Sequence, residues 1–103
     1  MAFAAVLELA GDTATIEISG ELDASTATHF HDVIDDAAGS GASHLEIKAD
    51  RLSYMSSAGL RSLVFARQKM GEEVRIVITG ATETVARTIR LAGFDHSIEL
   101  VSA

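Results

Sequence analysis

Two adjacent hydroxyl residues, Ser56 and Ser57, have the positions in this chain best suited to chemistry. They stand where a buried strand is predicted to end and a helix to begin. A helix start carries free backbone N–H groups and a partial positive charge, so it accommodates an anionic group. A serine at this point can cap the helix, accept a phosphoryl group, or act as an enzyme nucleophile.

The nucleophile role requires a base within reach of the serine. Asp95 and His96 are candidates, because the order of a Ser-His-Asp triad along the chain differs between folds. However, neither serine lies in a Gly-x-Ser-x-Gly elbow. We therefore expect a protein that is not an enzyme.

The other two roles are compatible, since Ser56 can cap the helix while Ser57 accepts a phosphate. A serine cap contributes on the order of 1 kcal/mol. A phosphoserine adds up to about −2 charge, which the helix start tolerates. A protein docked over that charge would have to desolvate it without compensation, and would be expelled.

Two nearby residues, Gly59 and Asp23, leave alternatives open. Gly59, in the first helical turn, costs roughly 1 kcal/mol relative to alanine. Either a partner approaches the backbone closely at this point, or the helix packs tightly against a strand. Asp23 follows the second predicted strand, and it either caps the next helix or lies beside Ser57, because the ends of parallel strands cluster at one edge.

Phe65 is the unusual residue of the helix that follows Ser57. The apolar stripe of this helix is predicted to consist of Leu60, Leu63, Val64 and Met70. Phe65 points away from that stripe, near the basic residues Arg61 and Lys69. An exposed aromatic ring flanked by basic residues is typical of an interface anchor, so we expect Arg61 and Phe65 in a docking face. The alternative is a ring that lies partly over a loop.

Composition limits the classes of function. The chain has 103 residues, 48% of them hydrophobic, which predicts a single folded domain over residues 1–103. A net charge of −7 argues against nucleic acid and anionic membranes as partners. No apolar run approaches the roughly 20 residues of a membrane span, and no signal peptide is recognised. The absence of cysteine fits the reducing cytoplasm.

Cofactor and metal sites are not predicted. The four histidines lack metal-ligand spacing, and the chain has neither a glycine-rich phosphate loop nor a GxGxxG motif. We therefore expect no cofactor and no metal.

The periodicity predicts five strands and three helices. The strand patterns cover residues 3–9, 13–19, 44–49, 74–78 and 98–100, and the helical patterns cover residues 24–38, 57–70 and 82–92. The order is β-β-α-β-α-β-α-β, which implies parallel pairing through right-handed crossovers after a first antiparallel hairpin. Alternating strand patterns mean one buried and one wetter face. We therefore predict a two-layer α/β domain, a mixed sheet with helices mainly on one face.

Two motifs connect the chain to a known family. Gly20-Glu21-Leu22-Asp23 follows the second strand, and Met55-Ser56-Ser57-Ala58-Gly59-Leu60 precedes the second helix. These motifs and their positions resemble the STAS domain family, the anti-sigma factor antagonists or anti-anti-sigma factors. Leu91-Ala92-Gly93-Phe94 is similar to the end of that family's third helix, so the resemblance covers essentially the whole chain.

The resemblance implies a partner switch. The unphosphorylated antagonist would bind an anti-sigma factor that is also a serine kinase of the histidine-kinase-like ATPase type, which releases a sigma factor or another target. Phosphorylation would end the complex, and a metal-dependent serine phosphatase would reverse it. Ser57 matches the family's phospho-acceptor, two residues before Gly59. The family often has aspartate where this chain has Ser56, so Ser56 is the alternative acceptor.

The resemblance also places Asp23 near the acceptor serine. The predicted partner-binding residues are Asp23, Ser56, Ser57, Gly59, Arg61 and Phe65. One alternative function is a STAS scaffold subunit of a membrane transport complex, such as a phospholipid ABC transporter. Another is a small nucleotide-binding domain, against which the missing phosphate loop argues.

Overall fold

A computed structural model describes residues 2–101 of the chain. The elements are β1 (Ala4–Ala10), β2 (Thr13–Leu22), α1 (Ala27–Gly39), β3 (His44–Met55), α2 (Ser57–Met70), β4 (Arg75–Thr79), α3 (Glu83–Leu91) and β5 (Glu99–Val101). A 3-10 turn at Phe94–His96 precedes β5. The predicted order of strands and helices is confirmed.

The strands form one mixed sheet in the order β1-β2-β3-β4-β5. β1 runs antiparallel to β2, and the three later pairs are parallel. Each helix connects two neighbouring parallel strands in the same direction across the sheet. Right-handed crossovers then place all three helices on one face, as the alternating strand patterns predict.

The core lies between that face of the sheet and the helices. It joins fully buried strand residues such as Ile16, Ile47 and Ile78 to helix residues such as Phe30 and Ile89. On the opposite face, Glu17 and Lys48 alternate with the buried residues and are exposed. One face of the sheet is therefore buried under the helices, and the other face is exposed to solvent.

β2 and β3 extend further than their alternating patterns predict. Both strands continue to a paired end at Leu22 and Met55, although the register shifts between Glu17 and Ser19 and again between Gly20 and Glu21. The extra residues lie in β3, whose burial loses its period of two after Ala49. β2 keeps alternating in burial, and only its apolar sequence pattern is interrupted, at Gly20. At Gly20 φ is +87°, and an added Cβ would lie 2.5 Å from the Ala2 carbonyl oxygen, so only glycine fits.

α1 begins three residues later than predicted, although its predicted buried stripe is confirmed. The stripe consists of Ala27, Phe30, Ile34 and Ala37. The backbone N–H groups of Thr26 and Ala27 both donate to the Asp23 carbonyl, at 3.2 and 2.9 Å. Residues 24–26 therefore form a turn that leads into the helix.

α2 has the predicted bounds, but its predicted apolar stripe is wrong at Val64. This side chain is 37% exposed. Val64 comes seven positions after Ser57, which is about two helical turns, so both lie on the same outward face. The buried residues are Ala58, Gly59, Ser62, Leu63 and Ala66.

Arg67 holds the carboxyl end of α2. Its Nη1 donates to the carbonyl oxygens of Gly71 and Val74 at 3.0 and 2.6 Å, and its Nη2 donates to the Ser97 carbonyl. The side chain thus joins α2 to β4 and to the segment before β5.

No helix within residues 2–101 combines the length and the apolar character of a membrane span.

Candidate functional site

The carboxyl ends of β2 and β3 meet at the start of α2. Leu22 and Met55 are partners in the last register position of this strand pair. Beyond it, the Ser56 N–H donates to the Leu22 carbonyl oxygen at 2.9 Å. This bond fixes the start of α2 to the end of β2, and it brings the turn that begins at Asp23 next to Ser56.

Ser56 is the N-cap of α2, as predicted. Its backbone is extended, with φ −88° and ψ 179°, and its Oγ accepts a hydrogen bond from the Ala58 N–H at 3.2 Å. The Ser56 carbonyl accepts the first helical bond, from the Leu60 N–H at 3.1 Å. The hydroxyl of Ser56 is thus turned inward, toward the helix that it caps.

Ser57 is the first helical residue and faces solvent. It is exposed, and none of the side-chain hydrogen bonds formed within residues 2–101 involves its hydroxyl. The first turn of α2 contains no acidic residue that would balance its positive end. Ser57 therefore combines an accessible nucleophilic oxygen with a local electrostatic preference for negative charge.

Asp23 organises the turn next to this serine pair. Its Oδ1 accepts hydrogen bonds from the Ser25 hydroxyl at 2.7 Å and from the backbone N–H groups of Ser25 and Thr26 at 2.9 and 3.2 Å. These bonds, first among them the one from the Ser25 hydroxyl, lower the pKa of Asp23 below its ordinary value. Asp23 therefore stays ionised and organises the turn that leads into α1, whose N-cap is Thr26, and its position beside Ser57 stays a prediction.

Close packing accounts for Gly59. It is buried, and an added Cβ would lie 2.7 Å from Met55 Cγ and 3.0 Å from Leu22 Cγ. The first turn of α2 thus sits directly on the two strand ends. Contact between Gly59 and a partner stays a prediction.

Phe65 does not project freely into solvent, and it does not lie over a loop. The ring is half-buried and stacks on His31 of α1, with 4.2 Å between ring centroids and 9° between planes. Lys69 Nζ lies 5.8 Å from the same ring. The side chain points toward the neighbouring helix, a tertiary contact that the pattern of α2 alone does not reveal. Only part of the ring is open to a partner.

His31 also connects α1 to the second turn of α2. Its Nε2 lies 2.9 Å from the Ser62 Oγ, and that hydroxyl donates to the Ala58 carbonyl at 3.1 Å. Ser62 is fully buried. This contact satisfies the Ser62 hydroxyl in the interior, and it fixes the spacing of the two helices below Ser57.

Two residues that the sequence analysis did not select also border the site. Val64 shares the exposed face of α2 with Ser57 and Arg61. Tyr54 is 49% exposed and stands opposite Glu21 in the strand register, one position before the last pair. The sequence could have indicated Tyr54 by its position, since it is the only tyrosine and comes directly before the motif that begins at Met55.

The other candidates from the sequence lie elsewhere. Asp95 and His96 line a shallow depression with Arg67 and Arg75, at the carboxyl end of α2 and far from Ser57. This position argues against a triad formed by these two residues and Ser57. In the described part of the chain, no three histidine or acidic side chains come together as metal ligands would.

Comparison with known proteins places this geometry in a family. The chain is 27% identical over 89 residues to the anti-sigma-F factor antagonist RsfB of Mycobacterium tuberculosis, covering 86% of this chain and 73% of RsfB. An anti-sigma factor antagonist from Mycobacterium paratuberculosis superposes with a TM-score of 0.87 at 23% identity, over 96% of this chain and 85% of that one.

The anti-sigma factor antagonist SpoIIAA has been solved in its unphosphorylated form and, as a Bacillus cell fate determinant, in its phosphorylated form. Each superposes with a TM-score of 0.74 at 22% identity, over 97% of this chain and 89% and 91% of the respective SpoIIAA chains. The family described as "Mlab, STAS domain" matches residues 5–102, and this chain therefore belongs to the STAS domain family.

Proposed function

We propose that this protein is an anti-sigma factor antagonist that acts in a cytoplasmic partner switch. Its unphosphorylated form binds an anti-sigma factor that is also a serine kinase of the histidine-kinase-like ATPase type, which frees that factor's target. Phosphorylation of Ser57 ends the binding, and a serine phosphatase restores it. The protein binds and is modified, and it does not itself catalyse a reaction.

The observation that carries this proposal is the division of roles between the two serines. Ser56 Oγ is engaged with the Ala58 N–H, whereas the Ser57 hydroxyl is exposed and uncommitted. A kinase can therefore reach Ser57 without disturbing the cap. In the modification, Ser57 Oγ forms a bond to the γ-phosphorus of ATP, the bond from that phosphorus to the bridging oxygen breaks, and ADP and the hydroxyl proton leave.

A phosphate at Ser57 would leave the fold intact. The positive end of α2 favours the added negative charge. The structural neighbour SpoIIAA offers a parallel, because its unphosphorylated and phosphorylated forms match this fold equally well, with the same TM-score of 0.74. The charge instead acts on the complex, since a partner that covers Ser57 would have to desolvate a dianion.

The proposed docking face surrounds Ser57. It comprises Asp23, Ser56, Ser57, Gly59, Arg61 and the accessible part of Phe65, and we add Val64 and Tyr54 from their exposure. In an acidic chain this face offers one free arginine and two exposed apolar side chains. Aromatic and arginine residues of this kind dominate binding energy at protein interfaces.

The test is capture of the partner followed by modification in vitro. The tagged chain is incubated with an extract of its own organism, and the captured protein is supplied with ATP and the antagonist. Mass spectrometry then examines the tryptic peptide Leu52–Arg61, whose fragmentation separates Ser53, Ser56 and Ser57. We expect one phosphoryl group, on Ser57, that Ser57→Ala removes and Ser56→Ala retains.

Three results would contradict the proposal. Modification that persists in Ser57→Ala on Ser56 would assign the switch to the other serine. An unmodified wild-type chain, with an active captured ATPase, would contradict the switch itself. Capture of a transporter ATPase would instead indicate the scaffold subunit of a transport complex.

A further inference from the structure

Arg61 and Ser57 lie on the same face of α2, one turn apart. Ser57 is the first helical residue and Arg61 comes four positions later, so successive turns place their side chains one above the other. Both residues are exposed. A negative group that precedes a positive one by four residues is the more favourable orientation of such a pair.

Arg61 differs from the other basic residues of α2 because its side chain has no partner. Arg67 donates to three backbone carbonyls, and Lys69 Nζ forms an ion pair with Asp35 at 3.2 Å. Within residues 2–101, Arg61 takes part in no such bond. This is notable in a chain with 15 acidic and 8 basic side chains, since the guanidinium stands free one turn above the proposed phosphate acceptor.

We propose that Arg61 is the internal counter-ion of a phosphate on Ser57. This inference rests on the proposed function, and it adds a second cause for the loss of binding. A phosphoserine presents three acceptor oxygens, and a guanidinium matches two of them with parallel N–H donors. Phosphorylation thus adds negative charge to the docking face and also withdraws its free arginine from the partner.

The test installs phosphoserine at position 57 during translation in the full-length chain, so that no kinase is needed. Phosphorus NMR then measures the second pKa of the phosphate, which is ordinarily about 6. A neighbouring guanidinium stabilises the dianion and lowers this pKa. We expect Arg61→Gln to raise the pKa by about 0.3 unit, the shift typical of an exposed pair at this spacing. Arg61→Lys should recover part of the effect.

The matched control is Arg87→Gln, which removes an exposed arginine of α3. It lowers the net charge equally, so it reports the general field of the protein, and it should leave the phosphate pKa unchanged. Equal pKa values for the Arg61→Gln and Arg87→Gln proteins would overturn the inference. Because the phosphate is built in, this result is independent of whether a kinase modifies Ser57, which the capture experiment decides.

Withdrawal of Arg61 from the partner has its own measurement. With the captured partner, Arg61→Gln should weaken binding of the unphosphorylated chain, because a contact is lost. It should also reduce the ratio between the affinities of the unphosphorylated and phosphorylated forms. An unchanged ratio would show that the arginine is not withdrawn, and would overturn this part of the inference.

Discussion

The first turns of α2 and α3 are built alike but differ in charge. Each helix follows a hydroxyl N-cap, because Ser56 accepts from the Ala58 N–H and Thr82 accepts from the Val85 N–H at 3.3 Å. The first helical residue is Ser57 in α2 and Glu83 in α3. α3 therefore carries permanently the kind of charge that phosphorylation would give to α2.

The arginine four residues later repeats as well. Arg61 follows Ser57 at this distance, and Arg87 follows Glu83. In the described part of the chain Glu83 and Arg87 are not joined by an ion pair, which is common for a single exposed carboxylate, since such pairs stabilise little. This fold therefore tolerates a negative first turn, and a single carboxylate at this spacing does not hold the arginine.

The two turns also differ in how tightly they pack. The third helical residue is Gly59 in α2 and Val85 in α3, and both are buried. We expect Gly59→Val, which gives α2 the residue type that α3 has at this position, to destabilise the protein by about 1–3 kcal/mol through overpacking against Met55 and Leu22. Urea unfolding measures this loss. Gly39→Val, at a position with nothing within 4 Å of an added Cβ, is the control and should have little effect.

Removal of either cap tests whether the two turns are equivalent in stability. Ser56→Ala and Thr82→Ala should each lower the free energy of unfolding by about 1 kcal/mol, because each leaves a first-turn N–H without its acceptor. Ser56→Asp, which provides another capping oxygen, should preserve stability. A cost for Ser56→Ala much below that of Thr82→Ala would mean that the Ser56 hydroxyl is not committed to the helix.

Exchange of the first helical residues tests the charge alone. Ser57→Glu should stabilise the protein by about 0.3–1 kcal/mol at low salt, and Glu83→Ser should destabilise it by a similar amount. Both changes should shrink as salt is added, because these charges are exposed. Thermal unfolding at two ionic strengths measures them. A destabilising Ser57→Glu would contradict the claim that the α2 turn accepts negative charge.

The pH dependence of stability tests the role of Asp23 separately from the first turns of α2 and α3. In the folded protein the pKa of Asp23 is lowered, chiefly by the Ser25 hydroxyl. The ionised carboxylate therefore contributes to stability above the unfolded-state pKa of about 3.9, and this contribution is lost as pH falls through the lower folded-state pKa. Asp23→Asn should therefore be less stable than wild type at pH 7, with a difference that diminishes toward pH 3. A difference independent of pH would exclude the ionised carboxylate as its cause.

Local signals made α2 and its cap predictable from the sequence. A hydroxyl before a helical run identified Ser56 as the cap, and Gly71 marked the end of the helix. These features depend only on neighbours in the chain. For the same reason the start of α3 at Thr82 was predicted correctly.

Features that depend on contacts between elements were not predictable in this way. The extension of β3 to Met55 includes register shifts that interrupt its alternation, and the extension of β2 to Leu22 passes through Gly20, which has no apolar side chain. The orientation of Phe65 follows from its stack on His31, and the exposure of Val64 follows from the same packing of α2 against α1. The late start of α1 reflects the competing turn at Asp23.

The central claim is that charge at position 57 acts on binding and not on folding. The most direct measurement is the affinity of the captured anti-sigma factor for the chain with serine and with phosphoserine at position 57, beside the Glu83→Ser control. We predict that phosphoserine weakens binding at least about 30-fold, which corresponds to about 2 kcal/mol for the added charge in an interface, while the control binds as wild type does. Equal affinities for the serine and phosphoserine forms would contradict the account.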